Sequence, residues 1–355
     1  MINAPTFKVA AWTWTVWPTW ATPTEPQLVA LANQKGLRAV DDYHRQRELN
    51  IQREAHDPLQ YGWEQPPVAL VRALLAGTYQ PPFLRSGPPT TIRSRSLAPV
   101  DWRQNQPAND VVLLGGNGSA KSYIQAKFGV ALLLDRPKTE WRAFSQNEQT
   151  SIRYIQAPAF TFLPPALRGI KSKGITTKIS YKEATGFSEG CFILPTSSAA
   201  FFPTYKSWEQ DRKSVEGGEA DVATWDEEIP AELLRTLRFR VHKKGGYVLG
   251  GFTPIGGYTE TVAEYLDAGV VLECIPAREV VWDWNGRTWD WGRWLLPPEQ
   301  ELVKGCPRGH LPLVIQSGGG AGRRFAVTMP TLFNPYTNVA AILDSTAAGE
   351  YVRKN

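Results

Sequence analysis

The residues best placed to do chemistry fall in three short runs. The first, GGNGSAKS, spans Gly115 to Ser122 and follows the apolar run DVVLL. Glycines ahead of a lysine and a hydroxyl are the ingredients of a phosphate cradle. Consecutive backbone N–H groups form an anion-binding nest, and a helix starting at the lysine adds partial positive charge. Gly115, Gly116, Asn117, Gly118, Ser119 and Ala120 would line the loop, Lys121 would reach the β- and γ-phosphates, and Ser122 would hold Mg²⁺. The pattern G-x-x-x-x-G-K-[ST] asks for glycine before the lysine, and this chain has Ala120 there. A left-handed backbone at that alanine would cost roughly 1–2 kcal/mol. The second run, DVATWDEEIP (221–230), ends an apolar stretch in Asp226 and Glu227. Asp226 would sit where a Mg²⁺ ligand acting through water belongs, and Glu227 could polarise the attacking water. An acidic turn is common by chance. It is a weaker explanation a hundred-odd residues after a phosphate loop, with apolar strands between. The third run, GYVLGGFTPIGG, brings Thr253 to a strand tip, where a polar group would sense the γ-phosphate; by itself TPIGG is only a turn.

These residues need strands that end together. From about residue 108 the pattern alternates strand and helix: DVVLL, then KSYIQAKFGVALLL, WRAFSQ, and NEQTSIRYIQAPAFTFLP. GCFILP and AAFFPTYKS read as an antiparallel excursion, and DVATW, GYVLGGF and GVVLECIP as further strands, with helices near 230–239 and 258–267. Short continuous apolar runs are expected of parallel strands buried on both faces. The alternation predicts an α/β fold, a parallel sheet flanked by helices. The first hundred residues read as a helical accessory region. Thr24 would cap a helix, QLVALANQ and LRAVDDYHRQRELNIQREAH carry helical spacing, and VALVRALLAG is a further helix ended by Gly77. A Pro-, Ser- and Arg-rich stretch (80–99) marks a boundary. The expected division is 1–100 helical lead-in, 101–280 core, and 281–355 a Trp-, Gly- and Pro-rich lid or linker.

Composition bounds the remainder. The chain has 355 residues, 42% apolar and 21% charged, with net charge +5. It is long enough for one large core with an appended part. Cys191, Cys274 and Cys306 are too few and too scattered for a disulfide framework, which points to a reducing compartment. The start of the chain lacks the features of a signal peptide. No apolar run approaches ~20 residues, so no membrane span is expected. Cys274, Cys306 and His310 lack the paired spacing of a zinc site.

Taken in order, the motifs resemble the ATPase domain of the large terminase subunit of tailed bacteriophages and prophages. The likeness spans roughly residues 55 to 355. It includes DPLQYGWEQPPVALVRALLAG, LLGGNGSAKSY, the run from CFILP to WDEEIP with its Gly-Gly turn, LLRTLRFRVHKKGGYVLGGFTPIGG, CPRGHLPLVIQ and LFNPYTNVAAILD. The resemblance implies a P-loop NTPase core of ASCE type that hydrolyses ATP with Mg²⁺ and drives double-stranded DNA into a procapsid. It implies a homo-oligomeric ring in the bacterial cytoplasm, docked on the portal protein and served by a small terminase subunit, although the isolated domain could be monomeric. By position, Lys121 and Ser122 would bind phosphate and Mg²⁺, Asp226 the metal through water, and Glu227 would activate water. Thr253 would couple hydrolysis to movement. Some relatives carry an arginine inside the phosphate loop and this chain has none there. Arg212 is therefore the first candidate for an arginine finger supplied by a neighbouring subunit, and Arg238 the second. The family usually continues into a nuclease domain. This chain ends about where that domain would begin and is read as lacking a DNA-cutting site.

Weaker signals remain. LRGIKSKGITTKISYK (167–182) is basic with no acid, and Lys171, Lys173 and Lys178 are its candidate DNA contacts; RTLRFRVHKK (235–244) is similarly basic. Either could meet phosphates, or be a solvated face. The resemblance also implies that an adenine contact could come from the region of Trp63 and Gln65. The competing readings are a stand-alone P-loop NTPase or kinase acting on a small molecule or in DNA repair, and a decayed ring component.

Overall fold

The computed structural model describes residues 25–61, 66–79, 108–168, 178–212, 220–254, 259–267, 269–276, 310–318 and 323–329. Thr24, Trp63, Gln65, Lys171, Lys173 and Cys306 lie outside the described residues. Its strands are β1 (Asp110–Gly115), β2 (Glu140–Phe144), β3 (Tyr181–Lys182), β4 (Gly186–Phe187), β5 (Cys191–Ile193), β6 (Ala199–Phe201), β7 (Val222–Asp226), β8 (Tyr247–Phe252), β9 (Val270–Pro276), β10 (His310–Ser317) and β11 (Arg324–Met329). Nine of them form one sheet in the order β5-β6-β2-β7-β8-β1-β11-β10-β9, and β3 pairs with β4. From β6 through β11 neighbouring strands are parallel, while β5 and β10 run antiparallel to their neighbours. In this order β8 lies between the loop-bearing strand β1 and the acid-bearing strand β7. That is the ASCE-type P-loop arrangement.

The apolar runs form strands because both sheet faces are covered. Along β1, Val111 and Leu113 enter one core cluster and Val112 and Leu114 the other, as the period-2 alternation of a strand requires. On the first face pack the helix Lys121–Asp135, through Ile124, Val130 and Leu133, and the helix Pro66–Ala76, through Val71, Leu74 and Leu75. On the second pack Ala231–Lys243, through Leu233, Leu234, Leu237 and Val241, and Glu260–Leu266, through Val262 and Tyr265. The expected helix after β2 begins at Glu148, capped by Asn147, and reaches Phe162 through a π turn at Ile152–Gln156. The turn lies just before Pro158, whose missing N–H removes one regular helical bond.

Two described stretches outside 101–280 take part in the core. Within 281–355, the stretch expected to be a lid or linker, the described strands β10 and β11 are part of the core sheet. β11 is hydrogen-bonded directly to β1, from Val111↔Phe325 to Gly115↔Met329. Within the lead-in before residue 100, the helix Pro66–Ala76 packs against the core. Leu74, Leu75 and Tyr79 share a cluster with β1, and the Ala108 N–H donates to the Leu74 carbonyl at 2.8 Å. Neither fact is visible in local periodicity, because the pairing joins segments far apart in the chain.

Candidate active site

The parallel order brings the C-terminal ends of β1, β8 and β7 side by side, and all three chemistry-bearing runs lie there. After β1 the chain turns through Gly118, whose φ is 76°, and enters the helix at Lys121. Ala120 has φ 67° and ψ 22°, so the loop does place a Cβ in the left-handed region. The conformation that glycine would adopt freely is imposed here on alanine.

Lys121 is 8% exposed, and its ammonium folds over its own loop. Nζ donates to the carbonyls of Gly115 (2.8 Å) and Gly116 (2.9 Å) and lies 3.2 Å from Ser119 Oγ and 3.1 Å from Thr253 Oγ1. Three N–H donors thus serve four acceptors. Burial lowers its pKa to about 8, against the opposing pull of Asp226 and Glu227. The Thr253 hydroxyl in turn donates to Asn117 Oδ1 at 3.2 Å, tying the tip of β8 to the loop. This close approach needs Gly251. A Cβ there would stand 2.4 Å from Gln125 Nε2 and 3.1 Å from Lys121 Cβ.

On β7, Asp226 is 4% exposed and accepts from Ser122 Oγ at 2.7 Å. Burial raises its pKa to about 6, and Glu227 adds to the rise while Ser122 and Lys121 oppose it. Glu227 leaves the strand with φ 64°, the left-handed region again. Its N–H donates to the Gly251 carbonyl at 3.1 Å. The buried Tyr205 hydroxyl lies 2.7 Å from the Asp226 carbonyl oxygen and 3.2 Å from that of Glu227, holding the turn from the other side. Two non-glycine residues at positive φ within one small site are the kind of local strain that functional sites carry.

The structure therefore brings together Gly115, Gly116, Asn117, Gly118, Ser119, Ala120, Lys121, Ser122, Asp226, Glu227 and Thr253. It separates the arginine candidates from them. Arg238 is 7% exposed and bound to Asp110 Oδ2 (2.7 Å) and to Glu264, at the start of β1, the end opposite the Gly115–Ser122 loop. A buried, paired arginine has a structural role and cannot be offered to a neighbour. Arg212 has an exposed side chain, stacked 4.5 Å over the Trp208 ring and paired with Glu232 at 2.5 Å. Lys178 pairs with Glu189 on the surface, and that hydrogen bond raises its pKa. Two participants were missed. Tyr205 sits in a segment read only as an antiparallel excursion. Gln125 is fully buried beside Gly251, with no hydrogen-bond partner for its amide among the described residues. A polar residue one turn after the lysine, on a buried helix face, was the available signal for Gln125.

Mg²⁺ fits this pair of ligands. A hydroxyl and a buried carboxylate 2.7 Å apart are hard oxygen donors, and the upward-shifted Asp226 is a carboxyl that a divalent cation would hold ionised.

No family model matches the chain, and no curated protein matches it. Among solved structures the chain is similar to the large terminase of a thermophilic bacteriophage. The overlap has 13% identity, covers 57% of this chain and 42% of that one, and has a TM-score of 0.36. A second structure of that terminase, in complex with ADP, overlaps at 15% identity over 45% of this chain and 37% of that one, with a TM-score of 0.34. The ATPase domain of a Thermus phage large terminase overlaps at 14% identity over 40% of this chain and 59% of that one, with a TM-score of 0.28. The chain thus spans less than two thirds of each of these proteins. Among the described residues no helix is long and apolar enough to cross a membrane. The overlaps are partial and distant, so the functional case stands on the strand order and the geometry of the site.

Proposed function

We propose that this chain hydrolyses ATP as the motor domain of a phage terminase large subunit, moving double-stranded DNA into a procapsid. One observation carries the reading: at three neighbouring strand ends Lys121 bonds Thr253, and the next residue, Ser122, bonds Asp226. Lys121 would exchange loop carbonyls for the β- and γ-phosphate oxygens of ATP. The loop N–H groups and the helix N-terminus would carry the rest of the triphosphate charge. Ser122 and, through water, Asp226 would hold Mg²⁺, which neutralises phosphate charge.

Glu227, positioned by its turn, would orient water for attack on the γ-phosphorus and accept its proton. Thr253 touches both Lys121 and Asn117, so loss of the γ-phosphate would be felt directly by β8 and the chain that follows it. Arg212 is the proposed finger, acting on a neighbouring subunit's nucleotide; its exposure makes that geometrically open. Lys171, Lys173 and Lys178 remain proposed DNA contacts. The portal protein, a small terminase subunit and a homo-oligomeric ring in the host cytoplasm complete the proposal.

The test is steady-state ATP hydrolysis across protein concentration, with and without double-stranded DNA. Turnover rising more than linearly with protein and stimulated by DNA supports the motor. Turnover linear in protein and indifferent to DNA indicates a stand-alone NTPase instead.

A further inference from the structure

Two polar side chains that the proposed chemistry leaves idle flank Asp226. The sheet order places β7 between β8 and β2. On the β8 side Asp226 is in register with Gly251, and the Gln125 amide lies over that glycine, where a Cβ would stand 2.4 Å from Nε2. On the β2 side the register Phe144↔Trp225 brings the next residue, Ser145, opposite Asp226. Phe144 and Trp225 pack in the core cluster of the second sheet face. Alternation therefore turns Ser145 and Asp226 to the first face, which the helix carrying Ser122 and Gln125 covers.

Gln125 and Ser145 are both fully buried, and neither the amide nor the hydroxyl has a hydrogen-bond partner among the described residues. Leaving such groups unpaired in a protein interior is costly, and each instance calls for a reason. For packing alone, methionine and alanine would serve these two positions better. Ser145 is nevertheless pinned by its backbone. Its N–H donates to the Pro203 carbonyl at 3.2 Å, and its carbonyl accepts from the N–H of Tyr205 at 2.9 Å. Tyr205 is the residue whose hydroxyl holds the turn at Asp226 and Glu227, so one segment sets both the idle hydroxyl and the acid. Asp226 itself takes one side-chain hydrogen bond among the described residues, from Ser122. A carboxylate at a metal site is ordinarily oriented by further donors.

We propose that Gln125 and Ser145 are positioning residues for Asp226, donating to its carboxylate from either side when nucleotide and Mg²⁺ are bound. The inference rests on the ATPase reading and adds to it two residues outside the loop and the acidic motif. Their donors stay unspent in the free protein, so Asp226 can shift from its direct bond with Ser122 toward metal-bound water and still be held.

The experiment measures the affinity of the full chain for a fluorescent ADP analogue in Mg²⁺ and in EDTA, with thermal melts of the nucleotide-free protein. Wild type should bind more tightly in Mg²⁺. Gln125→Met and Ser145→Ala should each lose about 10- to 100-fold of that gain and keep the wild-type affinity in EDTA. Gln125→Met should also raise Tm by about 2 °C or more, because it removes an unpaired buried amide without opening a cavity. Stability and metal coupling would then move in opposite directions, which a residue that only packs does not produce. A full Mg²⁺ gain in either variant removes that residue from the proposal. Affinity falling equally in EDTA and Mg²⁺, or a lower Tm in Gln125→Met, would overturn it by showing a packing defect. A wild type that binds the analogue in neither condition would sink the ATPase reading itself, and this proposal with it.

Discussion

The two ends of β1 treat buried charge in opposite ways. At its start, Asp110 accepts from Arg238 at 2.7 Å and from the Tyr265 hydroxyl at 2.6 Å; Glu264 completes the clamp and Arg324 lies within 4 Å. These groups are each other's partners, so the cluster is closed apart from Arg238 Nη2, which has no hydrogen-bond partner among the described residues. At the other end Lys121 is satisfied by loop carbonyls, with its pKa pulled down to about 8, and Asp226 is pushed up to about 6 by burial. Ala120 and Glu227 hold left-handed backbone there, whereas none of the clamp residues does. One strand thus carries a charge cluster that serves the fold and another whose charges, strained and under-compensated, suit a phosphate and a cation. The lesson is that burial of a charged residue does not by itself mark function. What distinguishes the site is whether its charges are already spent on one another.

That contrast can be broken from the closed end first. Arg238→Ala leaves Asp110 and Glu264 without their main partner and should cost about 3–5 kcal/mol of stability. Thermal melts should show this while nucleotide affinity of the folded fraction stays unchanged. If affinity falls with stability unaltered, the two ends are not separate in role. A smaller effect of opposite sign is expected at the loop. Ala120→Gly relieves a left-handed Cβ worth roughly 1–2 kcal/mol, offset in part by greater freedom of the unfolded chain. A net gain of about 1 kcal/mol in denaturant unfolding, with ATP affinity equal or tighter, is the expected outcome. A loss would mean that the alanine conformation is unstrained. The smallest stability change belongs to Arg212→Ala, about 0.5 kcal/mol or less, because the side chain is exposed and its ion pair with Glu232 is solvent-screened. Its informative readout is hydrolysis at high protein concentration. That should drop without any change in nucleotide binding if Arg212 acts on a neighbouring subunit, and an unchanged rate would remove it from the mechanism.

Most of the candidate site was legible in the sequence, because each of its parts is local: an apolar run, then a loop, then a residue whose chemistry is visible from its type. Lys121, Ser122, Asp226 and Thr253 follow that grammar, and the parallel sheet brings their strand ends together. The left-handed turn at Ala120 was also foreseeable as the place where the pattern wanted glycine. The closed end was not legible. Arg238 looked like an available cation in a basic helix, and only tertiary pairing with Asp110, 128 residues earlier, shows it to be part of the fold. The same holds for β11, which lies beside β1 although more than two hundred residues separate them. Tyr205 escaped for a similar reason: its hydroxyl reaches the Asp226 and Glu227 carbonyls across the sheet, and nothing in its own segment signals a partner.

The central claim is that the open end of β1 binds a nucleoside triphosphate and that Glu227 drives its hydrolysis. The most direct test compares wild type, Lys121→Ala and Glu227→Ala for binding of a fluorescent ATP analogue and for phosphate release under identical conditions. The account predicts that Lys121→Ala loses binding, and that Glu227→Ala binds as wild type but turns over about 10²–10⁴-fold more slowly. Intact binding in Lys121→Ala, or undiminished turnover in Glu227→Ala, would contradict it.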